Sequence, residues 1–109
     1  MKKELRKEIK RILLSAGYED RLTAYQIFNK LTPRIQRWLK NSYRDFGEKS
    51  GKYSVASAIS REAQKIAKWN WLNMEGMFVV CGNKIINPCG KVLAAYYLRD
   101  CNYGQKEKK

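Results

Sequence analysis

Ser57, Arg61, Gln64, Lys65 and Lys68 follow one another at intervals of three and four residues, with Gln64 set beside its neighbours. On a helix, that spacing gathers them into one stripe. The stripe would offer a hydroxyl, a guanidinium, an amide and two ammonium groups. Arginine pairs with guanine edges and glutamine with adenine edges in a DNA major groove, so these five are the candidate base-contacting residues. The plainer alternative is the solvated side of an ordinary amphipathic helix. Overall charge tips the balance: 23 Lys and Arg face 10 Asp and Glu, a net charge of +13. Such a potential draws in polyphosphates and steers their approach.

The basic residues cover most of the chain. Residues 1–16 carry six basic and two acidic side chains, residues 17–53 eight and four, and residues 70–104 only three and two. Phosphate contacts are therefore assigned mainly to the helical part. The candidates are Lys2, Lys3, Arg6 and Lys7 near the start, Arg34, Arg37, Lys40 and Arg44 further on, and Lys84 in the β-type region. Arg37, Lys40 and Arg44 at helical spacing would make one basic edge.

Composition removes other chemistries. The chain has no His, so the usual general base near neutral pH and the commonest zinc ligand are both missing. Cys81, Cys89 and Cys101 fit no zinc box and leave one thiol over in any disulfide scheme, which reads as three reduced cysteines. No Gly-rich phosphate loop, paired-carboxylate pattern or activated nucleophile stands out. The expectation is a protein without catalysis, metal or cofactor. The longest apolar run, residues 92–98, is far short of the roughly 20 needed to span a bilayer. No signal peptide is visible, so a cytoplasmic protein without membrane contact is expected.

Several elements must position these groups. Leu5, Ile9, Ile12, Leu13 and Ala16 recur at helical intervals over residues 2–16, and Gly17 supplies the stop. Thr23 and Gln26 form a capping-box pattern for a short helix over residues 24–31. Thr32-Pro33 starts a third helix that runs to about Gly47, followed by a polar, mobile loop over residues 48–52. Ser54 caps a fourth helix over residues 54–68. Beyond it the pattern turns to β-type: residues 77–81 and 84–87 flank the Gly82-Asn83 turn, and Asn87-Pro88 starts another. Residues 92–98 are ambiguous between helix and strand; Ala94 and Ala95 lean them to helix. They are also the candidate homodimer contact. Residues 104–109 read as a disordered basic tail behind a single domain over residues 1–103.

A chain of 109 residues has room for one core. Trp38, Trp69 and Trp71 are assigned to it, while Tyr43, Tyr53 and Tyr103 are left freer to touch a ligand. The fold class is mainly α with a small β-hairpin. This order of helices followed by a hairpin resembles a winged helix-turn-helix domain, with residues 23–31 as the first helix of the motif, 54–68 as the recognition helix and Gly82-Asn83 as the wing tip. The helix and loop between Pro33 and Tyr53 depart from the usual short turn. The run Gly82-Asn-Lys-Ile-Ile-Asn-Pro88 is also similar to the wing end of some plasmid and phage replication initiators. The resemblance implies duplex-DNA binding by a transcriptional or replication regulator, such as a phage or mobile element encodes. Two alternatives stay open: a basic protein-interaction module or inhibitor of a nucleic-acid machine, and a single-stranded DNA or RNA binder that stacks bases on its aromatics.

Overall fold

Leu5, Ile9, Ile12 and Leu13 line one side of Lys2–Ala16, the helix α1, and all four are buried. The computed structural model describes residues 1–16, 21–47, 51–73, 78–86 and 92–98. Leu22–Thr23 is a short strand, β1, and runs straight into α2, Ala24–Lys30. The join is the capping box read from sequence: the Thr23 hydroxyl accepts from the Gln26 amide and the Gln26 side chain accepts from the Thr23 amide at 2.9 Å. Helix α3, Pro33–Ser42, begins with proline in its first turn and buries Ile35 and Leu39. Its start is tied to α1, where Arg34 donates to Glu4 and the Thr32 amide donates to Glu8, each at 3.0 Å.

Helix α4, Val55–Ala63, starts at Ser54, whose hydroxyl accepts from the Ser57 amide. It packs against both α1 and α2 through Val55, Ala58, Ile59 and Ala63. Four strands follow: β2, Lys68–Asn73; β3, Val79–Cys81; β4, Lys84–Ile86; and β5, Val92–Tyr97. Strands β1, β5 and β2 form one antiparallel sheet in that order, and β3 and β4 form a separate hairpin. The described residues thus make one domain of four helices and a small antiparallel sheet around a shared core.

Several expectations need correction. The fourth helix stops at Ala63, not Lys68. Its last amides bond three residues back, Lys65 to Glu62 and Ile66 to Ala63, a tightened turn that releases the chain into β2. The third helix stops at Ser42, not near Gly47. There the chain extends so that the Arg44 amide donates to the Tyr53 carbonyl, and the Val55 and Ala56 amides donate to the Asp45 and Phe46 carbonyls. Residues 92–98 lean to helix by composition, yet residues 92–97 are the central strand. Six residue pairs with β2 and two with β1 outweigh the modest helix preference of two alanines. Ala95 and Tyr96 are buried by that pairing, leaving Val92 as the large exposed apolar side chain of the segment. This reduces what 92–98 can offer a second copy. Trp69 and Trp71 are not core either, because β2 is an edge strand exposed along its whole length. Gly17, residues 48–50 of the loop expected over 48–52, Asn87-Pro88, Cys89, Cys101 and residues 104–109 lie outside the described residues, and the rest of that loop, Gly51 and Lys52, belongs to a short 3-10 turn, Gly51–Tyr53. No helix among the described residues is long and apolar enough to cross a membrane.

The hairpin is held at its tip. The side-chain amide of Asn29, at the end of α2, donates to the Val80 carbonyl at 2.8 Å, and its oxygen accepts from the Gly82 amide at 2.6 Å. One side chain so completes the outer edge of β3. Gly82 takes a positive φ of 66° to make the turn, as the sequence predicts. Cys81 and Ile86 are buried beneath it.

Candidate nucleic-acid interface

Helix α4 has nine residues, which makes it about 14 Å long. Its inner side is Val55, Ala58, Ile59, Glu62 and Ala63, and its outer side carries Ser57, Arg61 and Gln64. Arg61 is extended back along this face: its guanidinium donates to the Ser57 hydroxyl at 3.0 Å and to the Lys52 carbonyl at 3.2 Å. Gln64 is the C-cap and is exposed. Of the five candidate base-contacting residues, the structure therefore brings Ser57, Arg61 and Gln64 onto one helical face. Lys65 sits in the turn beyond, and Lys68 opens β2.

Basic side chains flank both ends of this face. At the C-terminal end, Lys10 of α1 joins Lys65, Lys68, Gln64 and Tyr97 around an open depression of about 500 Å³. At the N-terminal end, Arg44 lies 5.0 Å and Lys52 5.4 Å from the centre of the Tyr53 ring. That ring is a shared seat, since its electron-rich face attracts both cations. Next to it, Lys40, Arg44 and Lys84 border a second, smaller depression with Asp45 and Phe46. Lys10 and Lys52 were not among the sequence candidates. Lys52 carried a usable signal, two residues before the N-cap Ser54; Lys10 did not, because its neighbours come from the turn after α4 and from β2 and β5.

The other candidates divide. Lys2, Lys3 and Lys7 are exposed on α1, and Arg37 and Lys40 on α3. Arg6 and Arg34 are engaged in ion pairs within the chain, Arg6 with a buried carboxylate and Arg34 with one at the surface. The Arg6 Nε donates to Glu62 Oε1 at 3.0 Å, and Arg34 to Glu4. Glu62 is the one buried carboxylate among the described residues, and Lys65 approaches its second oxygen at 3.4 Å. Burial pushes its pKa up, but the hydrogen bonds and charges of Arg6 and Lys65 outweigh burial and hold it below the ordinary value. The group serves to clamp α1 to α4, which fixes the helix carrying the outer face. Arg44 lies past the end of α3, so the basic edge expected on that helix consists of Arg37 and Lys40.

No cluster of three or more His, Cys, Asp or Glu side chains that could hold a metal ion occurs among the described residues. Comparison of the chain with protein-family models, with curated proteins and with solved structures finds no match.

Proposed function

We propose that the chain is a non-catalytic, duplex-DNA-binding domain of winged helix-turn-helix type that sets the outer face of α4 into the major groove. The observation that carries this reading is the placement of cations: a short helix with Ser57, Arg61 and Gln64 facing outward is bracketed by Lys10, Lys65 and Lys68 at one end and by Lys40, Arg44 and Lys52 at the other. A groove about 12 Å wide admits such a helix, and the cations at its two ends would meet the phosphates of the groove walls. Arg61 would exchange its bonds to Ser57 and Lys52 for a base edge. The order of helices followed by strands and a hairpin supports the winged-helix type, with α3 as an addition between the two helices of the motif.

The test is a binding titration against a selected duplex, random duplex, single-stranded DNA and RNA at two salt concentrations. Gln64→Ala should cut discrimination between selected and random duplex by about 1–3 kcal/mol. Lys40→Ala and Lys68→Ala should weaken all sequences alike, and each should flatten the salt dependence by about 0.9 in log–log slope, the share of one neutralised phosphate. Equal, sequence-independent losses from all three variants remove the base-reading role of α4. Negligible binding to every nucleic acid at low salt overturns the reading altogether.

A second reading has its own observation. Trp71 is 68% exposed on the edge strand β2, with Trp69 on the same side, and exposed aromatics stack unpaired bases. Single-stranded binding that exceeds duplex binding, and that Trp71→Ala abolishes, would favour it.

A further inference from the structure

Helix α1 sorts its exposed charges to two sides. Both of its acidic residues reach toward the start of α3, where Glu4 accepts from Arg34 and Glu8 from the Thr32 amide. At about 100° per residue, Lys3, Lys7, Lys10 and Leu14 fall within an arc of about 60°, roughly 110° around the helix from those carboxylates. All four are exposed, and none of the three lysines has an acidic partner among the described residues. Arg6, on the flank of this stripe, turns to Glu62 of α4, so the stripe lies on the α4 side of the helix. Two open depressions meet at Lys10. One, of about 400 Å³, is bordered by Lys7, Arg11, Leu14 and Ser15; the other is shared with Gln64, Lys65 and Lys68 beyond the end of α4. No carboxylate among the described residues borders either. Basic side chains therefore continue from the end of α4 along α1.

We infer that the backbone of one DNA strand, on leaving the end of α4, runs along this stripe, with Lys10, Lys7 and Lys3 each meeting a phosphate. This rests on the reading of α4 as the element in the groove. The three lysines span about 10 Å of α1. Ammonium groups on flexible stems suit a backbone track, since they neutralise phosphates without reading a base. Glu4 and Glu8 repel phosphate from the far side, which confines the strand to the side that adjoins α4. An anionic lipid surface fits this helix less well. An interfacial helix needs an apolar face to bury in the membrane, whereas the apolar face of α1 is buried in the core and Leu14 is the one large apolar side chain exposed among residues 2–16.

The test titrates Lys3→Gln, Lys7→Gln and Lys10→Gln, singly and together, with selected and random duplex at several salt concentrations. Each replacement should flatten the log–log salt slope by about 0.9, equivalent to about eightfold weaker binding at about 0.1 M salt, for both duplexes alike. Lys30→Gln removes the same charge on the acidic side of α1, beside Arg11 and Ala16, and should leave the slope unchanged. Melting curves should not move, because lysine and glutamine are similar helix formers. Acetylation by an N-hydroxysuccinimide ester, read by mass spectrometry, should find Lys7 and Lys10 protected by bound duplex and Lys30 unprotected. Slope changes no larger than that of Lys30→Gln, or no protection, overturn the inference; the α4 reading survives that failure if Gln64→Ala still lowers discrimination. Flattened slopes with discrimination untouched by Gln64→Ala keep the phosphates on α1 and remove base reading from α4. Binding to phosphatidylserine vesicles but to no nucleic acid overturns both and gives the stripe to a lipid surface.

Discussion

Replacing Glu62 with Gln keeps the side chain's size and one acceptor oxygen but removes its charge, at a position where α1 and α4 meet. The carboxylate is 5% exposed, while its partners Arg6 and Lys65 are 37% and 55% exposed. A hydrogen bond to a charged group contributes about 1.5–3 kcal/mol, and breaking a fully buried ion pair costs about 3–5 kcal/mol. Here both cations can turn back to water, and the Lys65 approach is long and well exposed, so most of the effect rests on Arg6. The expected loss near neutral pH is about 1–2 kcal/mol, or a fall in melting temperature of roughly 4–10 °C. The folded carboxyl titrates below its ordinary value of 4.5. Its contribution is therefore complete above that value and disappears as pH falls through the lower, folded-state pKa. Urea unfolding followed by tryptophan fluorescence, at about pH 7 and about pH 3 for both proteins, measures this directly. The gap between them should be open at the higher pH and narrowed at the lower. An equal gap at both, or none at neutral pH, refutes an ionic clamp. Arg6→Ala should mirror the result, which would assign Arg6 to the fold and not to phosphate.

Asn29→Ala removes both bonds that grip the hairpin; it should cost about 1 kcal/mol and speed amide exchange at Gly82 selectively, as read by hydrogen exchange. Gly47→Ala should cost more, about 2–3 kcal/mol by denaturant unfolding, because Gly47 has a φ of 146° and an added Cβ would collide with the Tyr25 hydroxyl.

What the sequence made legible was local. The Thr23–Gln26 box and the Ser54 cap are exchanges within four residues, and both helices start where those residues place them. Helix ends were less readable. Gln64, Lys65 and Ala67 are sound helix formers, and the chain leaves the helix because β2 must lie along β5, a choice made about 25 residues further on. Two alanines hid β5 for a related reason: Ala95 is fully buried, and its small size lets the sheet lie close to the core. The site shows the same division. Arg61 and Gln64 could be placed on one face from their spacing, but nothing near Arg6 announces Glu62, 56 residues away. Trp69 and Trp71 looked like core because of their size, and only the strand order shows them on an edge.

The position of β5 between β1 and β2 has a consequence for how the chain reaches this structure. Leu22 meets Tyr96 and Thr23 meets Ala95, so among the described residues β1 has no sheet partner until residues 95 and 96 are present. Helices α1, α2 and α4 pack on one another within residues 2–63, and a chain emerging from its N-terminus can assemble them early. The sheet must wait, because closing a loop of more than 70 residues costs entropy before any pairing offsets it. Folding should accordingly run at the pace of that one long-range closure, and β5 acts as the piece that locks in last.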